Sequence, residues 1–111
     1  MSSSPLELLL LEAAGALEDA DVRPAAQGHE VAVAGIVVAV VGTDALEARL
    51  RPAVASAALR TPDTAPSERG RGWVRFAPGA LDDFARDRAL AWLESAVRLA
   101  MEKLILPELA H

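Results

Sequence analysis

The C-terminal third of the chain constrains the fold more than any other segment. From Ala80 to about Leu106, the residues Leu81, Ala85, Ala89, Leu90, Trp92, Leu93, Ala96, Val97, Ala100 and Leu104 fall on one broad arc of a 100° wheel. Asp83, Asp87, Arg88, Glu94, Arg98 and Glu102 fill the other arc. That is the 3.6-residue period of a surface helix with one face turned to a core, and Pro107 stops it. About 25 residues at ~1.5 Å each make a rod of roughly 38 Å, at least as long as a small domain is wide. Whatever else the chain forms must therefore lie under one apolar stripe, and part of the rod is expected to extend past it or to meet a partner.

The remaining elements are shorter. Ser4-Pro5-Leu6-Glu7 has the pattern of a capped helix start, and a helix is expected from Pro5 to Ala20. Leu6, Leu9, Leu10, Ala13 and Leu17 share one of its faces, whereas Leu8 and Leu11 lie opposite among acids. Those two leucines are either scattered surface apolars or a second contact surface. Between Val22 and Val41 the period becomes that of strands. His29–Ala34 and Ile36–Val41 read as an antiparallel hairpin turning at Ala34-Gly35, with one strand bent at Gly35 as the alternative. Asp21–Gln27 is a weak edge strand, because Pro24 cannot donate to a ladder.

Gly42-Thr43-Asp44 and the spacing of Leu46, Leu50, Val54 and Ala57 or Ala58 suggest a middle helix, kinked or restarted near Arg51 where Pro52 interrupts it. The segment 61–72 is polar and proline-rich, with no apolar residue larger than alanine or proline, and is expected to be an exposed loop. Trp73–Phe76 reads as a short strand. The expected fold is thus α+β: one domain over 1–111, with an antiparallel sheet of three to four strands packed against an N-terminal helix, a kinked middle helix and a long C-terminal helix. This element order is similar to that of several small bacterial domains, including the YjbR-like group, in which a hairpin precedes a helix, a strand and a closing helix. The similarity implies an α+β layout and carries no site residues with it.

Composition narrows the function. The chain has 111 residues, 52% of them hydrophobic, which is too apolar for a disordered segment and long enough for a core. It has no cysteine, so disulfides, thiolate metal sites and cysteine nucleophiles drop out. The net charge of -5 and the lack of a basic helix speak against nucleic acid. A single lysine, Lys103, and no asparagine suggest a GC-rich bacterial genome, so abundant arginine is weak evidence in itself. No run reaches the ~20 apolar residues of a membrane span. The N-terminal run lacks a positive leader and is broken by Glu7 and Glu12, so a cytoplasmic protein is expected.

Candidate chemistry is sparse. His29 and His111 have no metal-ligand spacing, and His29 reads as a strand-edge surface residue. Asp82, Asp83 and Asp87 open the long helix, where the helix dipole favours acids. Trp73 and Trp92 are expected to pack together over the sheet. No catalytic residue, metal or cofactor is assigned. Two functions follow. The first is a non-catalytic module acting through protein contacts as a homodimer, on the strength of the surplus leucines, the long helix and the tail Leu104 to Leu109. The alternative is a binding protein or enzyme for a small anionic ligand, held by Arg69, Arg71 and Arg75 with Trp73 in the arginine-rich loop 61–75.

Overall fold

The computed structural model describes residues 4–26 and 28–105, which form three helices on a six-stranded antiparallel sheet. The elements run α1 (Pro5–Gly15), β1 (Asp21–Ala25), β2 (Gly28–Val33), β3 (Ile36–Val41), β4 (Leu46–Arg49), α2 (Pro52–Ala58), β5 (Thr64–Pro66), β6 (Trp73–Phe76) and α3 (Asp83–Ile105). The strand order is β1-β2-β3-β4-β6-β5, so the first four strands meander and the last two join as a hairpin whose second member lies beside β4. The α+β class is as expected, and the sheet is larger than the three to four strands expected. The tail segment 106–111, with the helix stop at Pro107 and His111, lies outside the described residues, as does Gln27.

Three local corrections are needed, and the first two account for the two added strands. First, Leu46–Arg49 is a strand and not the start of a kinked helix. Leu46, Ala48 and Leu50 are buried, while Glu47 and Arg49 between them are partly open, and this period of two outweighs the i, i+4 spacing of Leu46 and Leu50. At Pro52 the chain starts a separate helix after Arg51, as the restart reading expected, and does not kink a longer one. Pro52 sits at the first position of α2, where its missing N–H has no intrahelical partner to lose. Second, the segment 61–72 is not wholly a loop, because Thr64–Pro66 pairs with β6. Its position at the sheet edge is what allows Pro66 in a ladder. The opposite edge strand, β1, carries Pro24. Each free edge thus holds a residue that cannot donate, which blunts pairing with other chains. Third, α1 ends at Gly15, with Ala16 as its C-cap, and not at Ala20.

Other readings hold in detail. Ser4 caps α1: its Oγ accepts a hydrogen bond from the Glu7 N–H at 3.1 Å and donates to the Thr43 carbonyl, tying the helix start to the β3–β4 turn. The hairpin turns at Ala34-Gly35 with φ of 52° and 82°, the left-handed pair that matches strand twist. A bulge opposite Val31 and Ala32 breaks the β2–β3 register. α3 runs unbroken past Trp92 to Ile105, its start capped by Asp82, whose Oδ1 accepts from the Ala85 N–H at 2.8 Å.

All three helices lie on one face of the sheet. The register places Val31, Ala39, Ala48 and Val74 in one cross-strand row and Val41, Leu46 and Phe76 in the next. Both rows are buried with Leu6, Leu10 and Ala14 of α1, Ala55 and Ala58 of α2, and Ala85, Ala89, Leu93, Ala96 and Val97 of α3. Alanine at so many facing positions lets backbones approach closely, while Leu10, Leu93 and Phe76 supply bulk at ~1.5–3 kcal/mol of burial each. The other face carries the row Arg23, Glu30, Val40, Glu47, Arg75 and Ala65, one residue per strand, and no helix covers it. No described helix is long and apolar enough to cross a membrane.

Two backbone positions test this arrangement. Ala34 holds a conformation that costs an L-residue about 1 kcal/mol, so Ala34→Gly should raise unfolding free energy by roughly 0.5–1 kcal/mol. A Cβ on Gly28, at φ 138°, would run into the Val41 carbonyl, so Gly28→Ala should lower stability by about 2–3 kcal/mol. Urea unfolding checks both, and a neutral Gly28→Ala would contradict the β2–β3 pairing described.

Candidate functional site

Of the four residues singled out in the arginine-rich segment, Arg69, Trp73 and Arg75 share one side of the sheet and Arg71 stands apart. Val74 and Phe76 of β6 point into the core, so Trp73 and Arg75 stand on the uncovered face of the sheet. Arg69 joins them from the preceding turn. Its guanidinium lies 5.7 Å from the Trp73 ring centroid, and its Nε is 3.3 Å from Glu47 Oε2. The turn is locked by Ser67, whose Oγ accepts from the Arg69 N–H at 3.1 Å and donates to the Glu47 carboxylate. Ser67 is buried, and its N–H donates to the Trp73 carbonyl. Arg75 lies directly opposite Glu47 in the register. Glu47, Arg69 and Arg75 border a hollow of about 250 Å³ that also touches Val40 and Asp44.

The chemistry of this hollow is largely self-satisfied. Arg69 and Arg75 face two carboxylates, Glu47 and Asp44, so an incoming anion finds no surplus positive charge. Glu47, on the strand opposite, already holds the place that a bound carboxylate or phosphate was expected to take.

Arg71 is on the other side of the same turn. Gly72 accepts a hydrogen bond from the Leu50 N–H at 2.8 Å, and that bond pins the turn to the end of β4. Gly72 has φ 85°, and a Cβ there would stand 3.1 Å from the Leu50 carbonyl, so glycine suits the close approach. The result is a groove of about 260 Å³ beside Arg71, bordered by Arg49, Arg51, Pro52, Leu99 and Lys103. It runs into an apolar hollow of about 100 Å³ formed by Val33, Ile36, Val38, Ala96, Leu99 and Ala100, with Arg49 and Lys103 at its mouth. Arg51 is paired with Glu102. Among the described residues, Arg49, Arg71 and Lys103 have no carboxylate within 4 Å.

Arg49, Arg51 and Lys103 are the residues that sequence reading missed. The alternation Leu46-Glu47-Ala48-Arg49-Leu50-Arg51 carried the signal: read as a strand, it turns Glu47, Arg49 and Arg51 away from the core. Read as a helix, it scatters them.

The remaining candidates resolve as structure. Trp73 and Trp92 do not pack together, since Trp92 lies on α3 against the core and Trp73 on the far face. Arg88 stacks over Phe76 at 5.5 Å from the ring centroid. Among the described residues, no group of three or more His, Asp or Glu side chains is placed to hold a metal. His29 is not a free surface residue. Its Nδ1 is buried 3.8 Å from Oε2 of Glu7, an acid buried on the inner side of α1.

The two side chains bring α1 and β2 within reach of each other, and any interaction between them is measurable. In a double-mutant cycle of Glu7→Ala and His29→Ala, unfolding free energies should show a coupling of about 0.5–1 kcal/mol at pH 6. Strictly additive losses would mean that the two side chains are neighbours without interaction.

Comparison with family models, with curated proteins and with solved structures returned no match, so the similarity to YjbR-like and other small bacterial domains rests on element order alone.

Proposed function

We propose that the protein is a contact module that works by binding other protein chains, self-association being the simplest case, and not by catalysis. One observation carries the reading. α1 and α3 pack side by side over the sheet, and the largest exposed apolar side chain of the described residues, Phe84 at 73%, stands on the first turn of α3. Leu8, 57% exposed, stands on α1. A phenyl ring held in water on a rigid, capped helix forgoes ~1.5–3 kcal/mol that burial would return. Two-fold symmetry would double any contact that covers it, since an isologous interface uses the same patch twice. Leu11 does not contribute, because it packs against the core.

The alternative, a small anion held by Arg69, Arg71 and Arg75, draws less support at the Arg69 and Arg75 hollow because Glu47 and Asp44 already face those cations. Only Arg71 keeps an open surrounding of the kind that reading needs.

Size-exclusion chromatography with light scattering at about 100 µM is the test. The expected mass is twice the 11.6 kDa of one chain, and Phe84→Glu together with Leu8→Glu should return it to one chain with little change in Tm. A wild-type monomer at that concentration removes self-association. A dimer that survives both substitutions moves the interface elsewhere.

A further inference from the structure

We infer that the groove between the end of β4, the 70–72 turn and the C-terminal half of α3 is a docking site for an acidic segment of a partner protein, one that inserts a single aliphatic side chain. The inference rests on the reading of the chain as a contact module and is separable from self-association.

Charge is the first argument. The chain carries a net charge of -5, yet four of its eleven basic residues, Arg49, Arg51, Arg71 and Lys103, border this one groove. Only Arg51 is matched by a carboxylate among the described residues. Elsewhere Arg23 is matched by Glu30 and Arg69 by Glu47, and Arg60, Arg75, Arg86, Arg88 and Arg98 also lack a carboxylate within 4 Å among the described residues, so what sets the groove apart is that its unmatched cations gather on one rim. Three unanswered cations on one rim of an acidic protein complement carboxylates brought from outside.

Shape is the second argument, and it discriminates among anions. The cationic groove is continuous with the apolar hollow, since Arg49, Leu99 and Lys103 border both. An inorganic anion would leave that hollow empty, with Ile36 53% exposed at its lip. A long lipid chain does not fit: the hollow holds about 100 Å³, less than the ~150 Å³ of an apolar cavity that admits one benzene. A nucleic acid strand would look for aromatic faces to stack on, and the lining, aliphatic apart from Arg49 and Lys103, has none. One leucine- or valine-sized side chain flanked by carboxylates matches both parts, and a peptide supplies that spacing along one backbone.

Fluorescence anisotropy of the full chain with a labelled decapeptide of glutamates around one leucine tests the assignment. Binding is expected to weaken at least ~10-fold with Arg71→Glu plus Lys103→Glu. Replacing the peptide's leucine by alanine should weaken it about 10-fold, and Ala100→Phe, which fills the hollow, should abolish that preference while glutamate-dependent binding remains. Arg86→Glu, outside the groove, should leave affinity unchanged. The inference is overturned if the peptide does not bind at millimolar concentration, if leucine and alanine peptides bind alike, or if Arg86→Glu weakens binding as much as the groove variants do. Displacement of the peptide by stoichiometric fatty acid, or by inorganic phosphate as effectively as by unlabelled peptide, also overturns it. Loss of peptide binding with a retained dimer refutes the groove alone; loss of both refutes the contact-module reading.

Discussion

The alternation along β4 is the constraint from which the charged surfaces of this protein follow. With Leu46 and Ala48 turned into the core, Glu47 and Arg49 have no choice but to face outward, and the register with β6 then sets Glu47 opposite Arg75 and Arg49 opposite Trp73. A slip of one residue would drive a carboxylate and a guanidinium into the apolar layer, at a cost of several kcal/mol for each buried ion. The core therefore enforces the placement of groups that never touch it. Leu50 continues the pattern, and its N–H catches Gly72, so the turn bearing Arg69 and Arg71 is hung on the same strand.

From that one strand, the arginines of the turn acquire different characters. Arg69 is stacked on Trp73 and paired with Glu47, contacts that order the side chain and neutralise it. Arg71, two residues on, passes to the other side of Leu50, where the neighbours are Arg49, Arg51 and Lys103. Partly exposed ion pairs contribute little to stability, typically ~0–1 kcal/mol, so the difference matters more for recognition than for folding. A satisfied arginine has little left to offer a ligand, whereas cations that repel one another gain from any carboxylate that arrives.

The two-layer design has a further consequence. Helices cover one face only, so the outer face relies on its own residues for protection, and its central row is mostly charged. Proline in both edge strands guards the flanks. The apolar groups left in water are instead on the helical side, at Phe84 and Leu8, and at Ile36 on the hairpin tip. Surface available for protein contacts is thereby concentrated on the helical layer and its rim.

Local patterns sufficed for much of this. The capped start of α1, the Ala34-Gly35 turn, the β-branched run of β3, the short β6 and the rod of α3 each depend on neighbours within a few residues, and each was legible in the chain. The placement of β4 was not, because Leu46 and Leu50 satisfy a helical spacing as well as a strand's, and only pairing with β3 and β6 separates the two. Thr64–Pro66 was hidden for a similar reason: a segment without bulky apolar residues becomes a strand only when an edge is offered to it. So did the site divide. Arginine content and the glycines that loosen the 69–72 turn are properties of sequence, but which arginine meets a carboxylate and which stays open was decided by the antiparallel register, since a sheet brings together residues that are tens of positions apart and no local rule ranks those encounters.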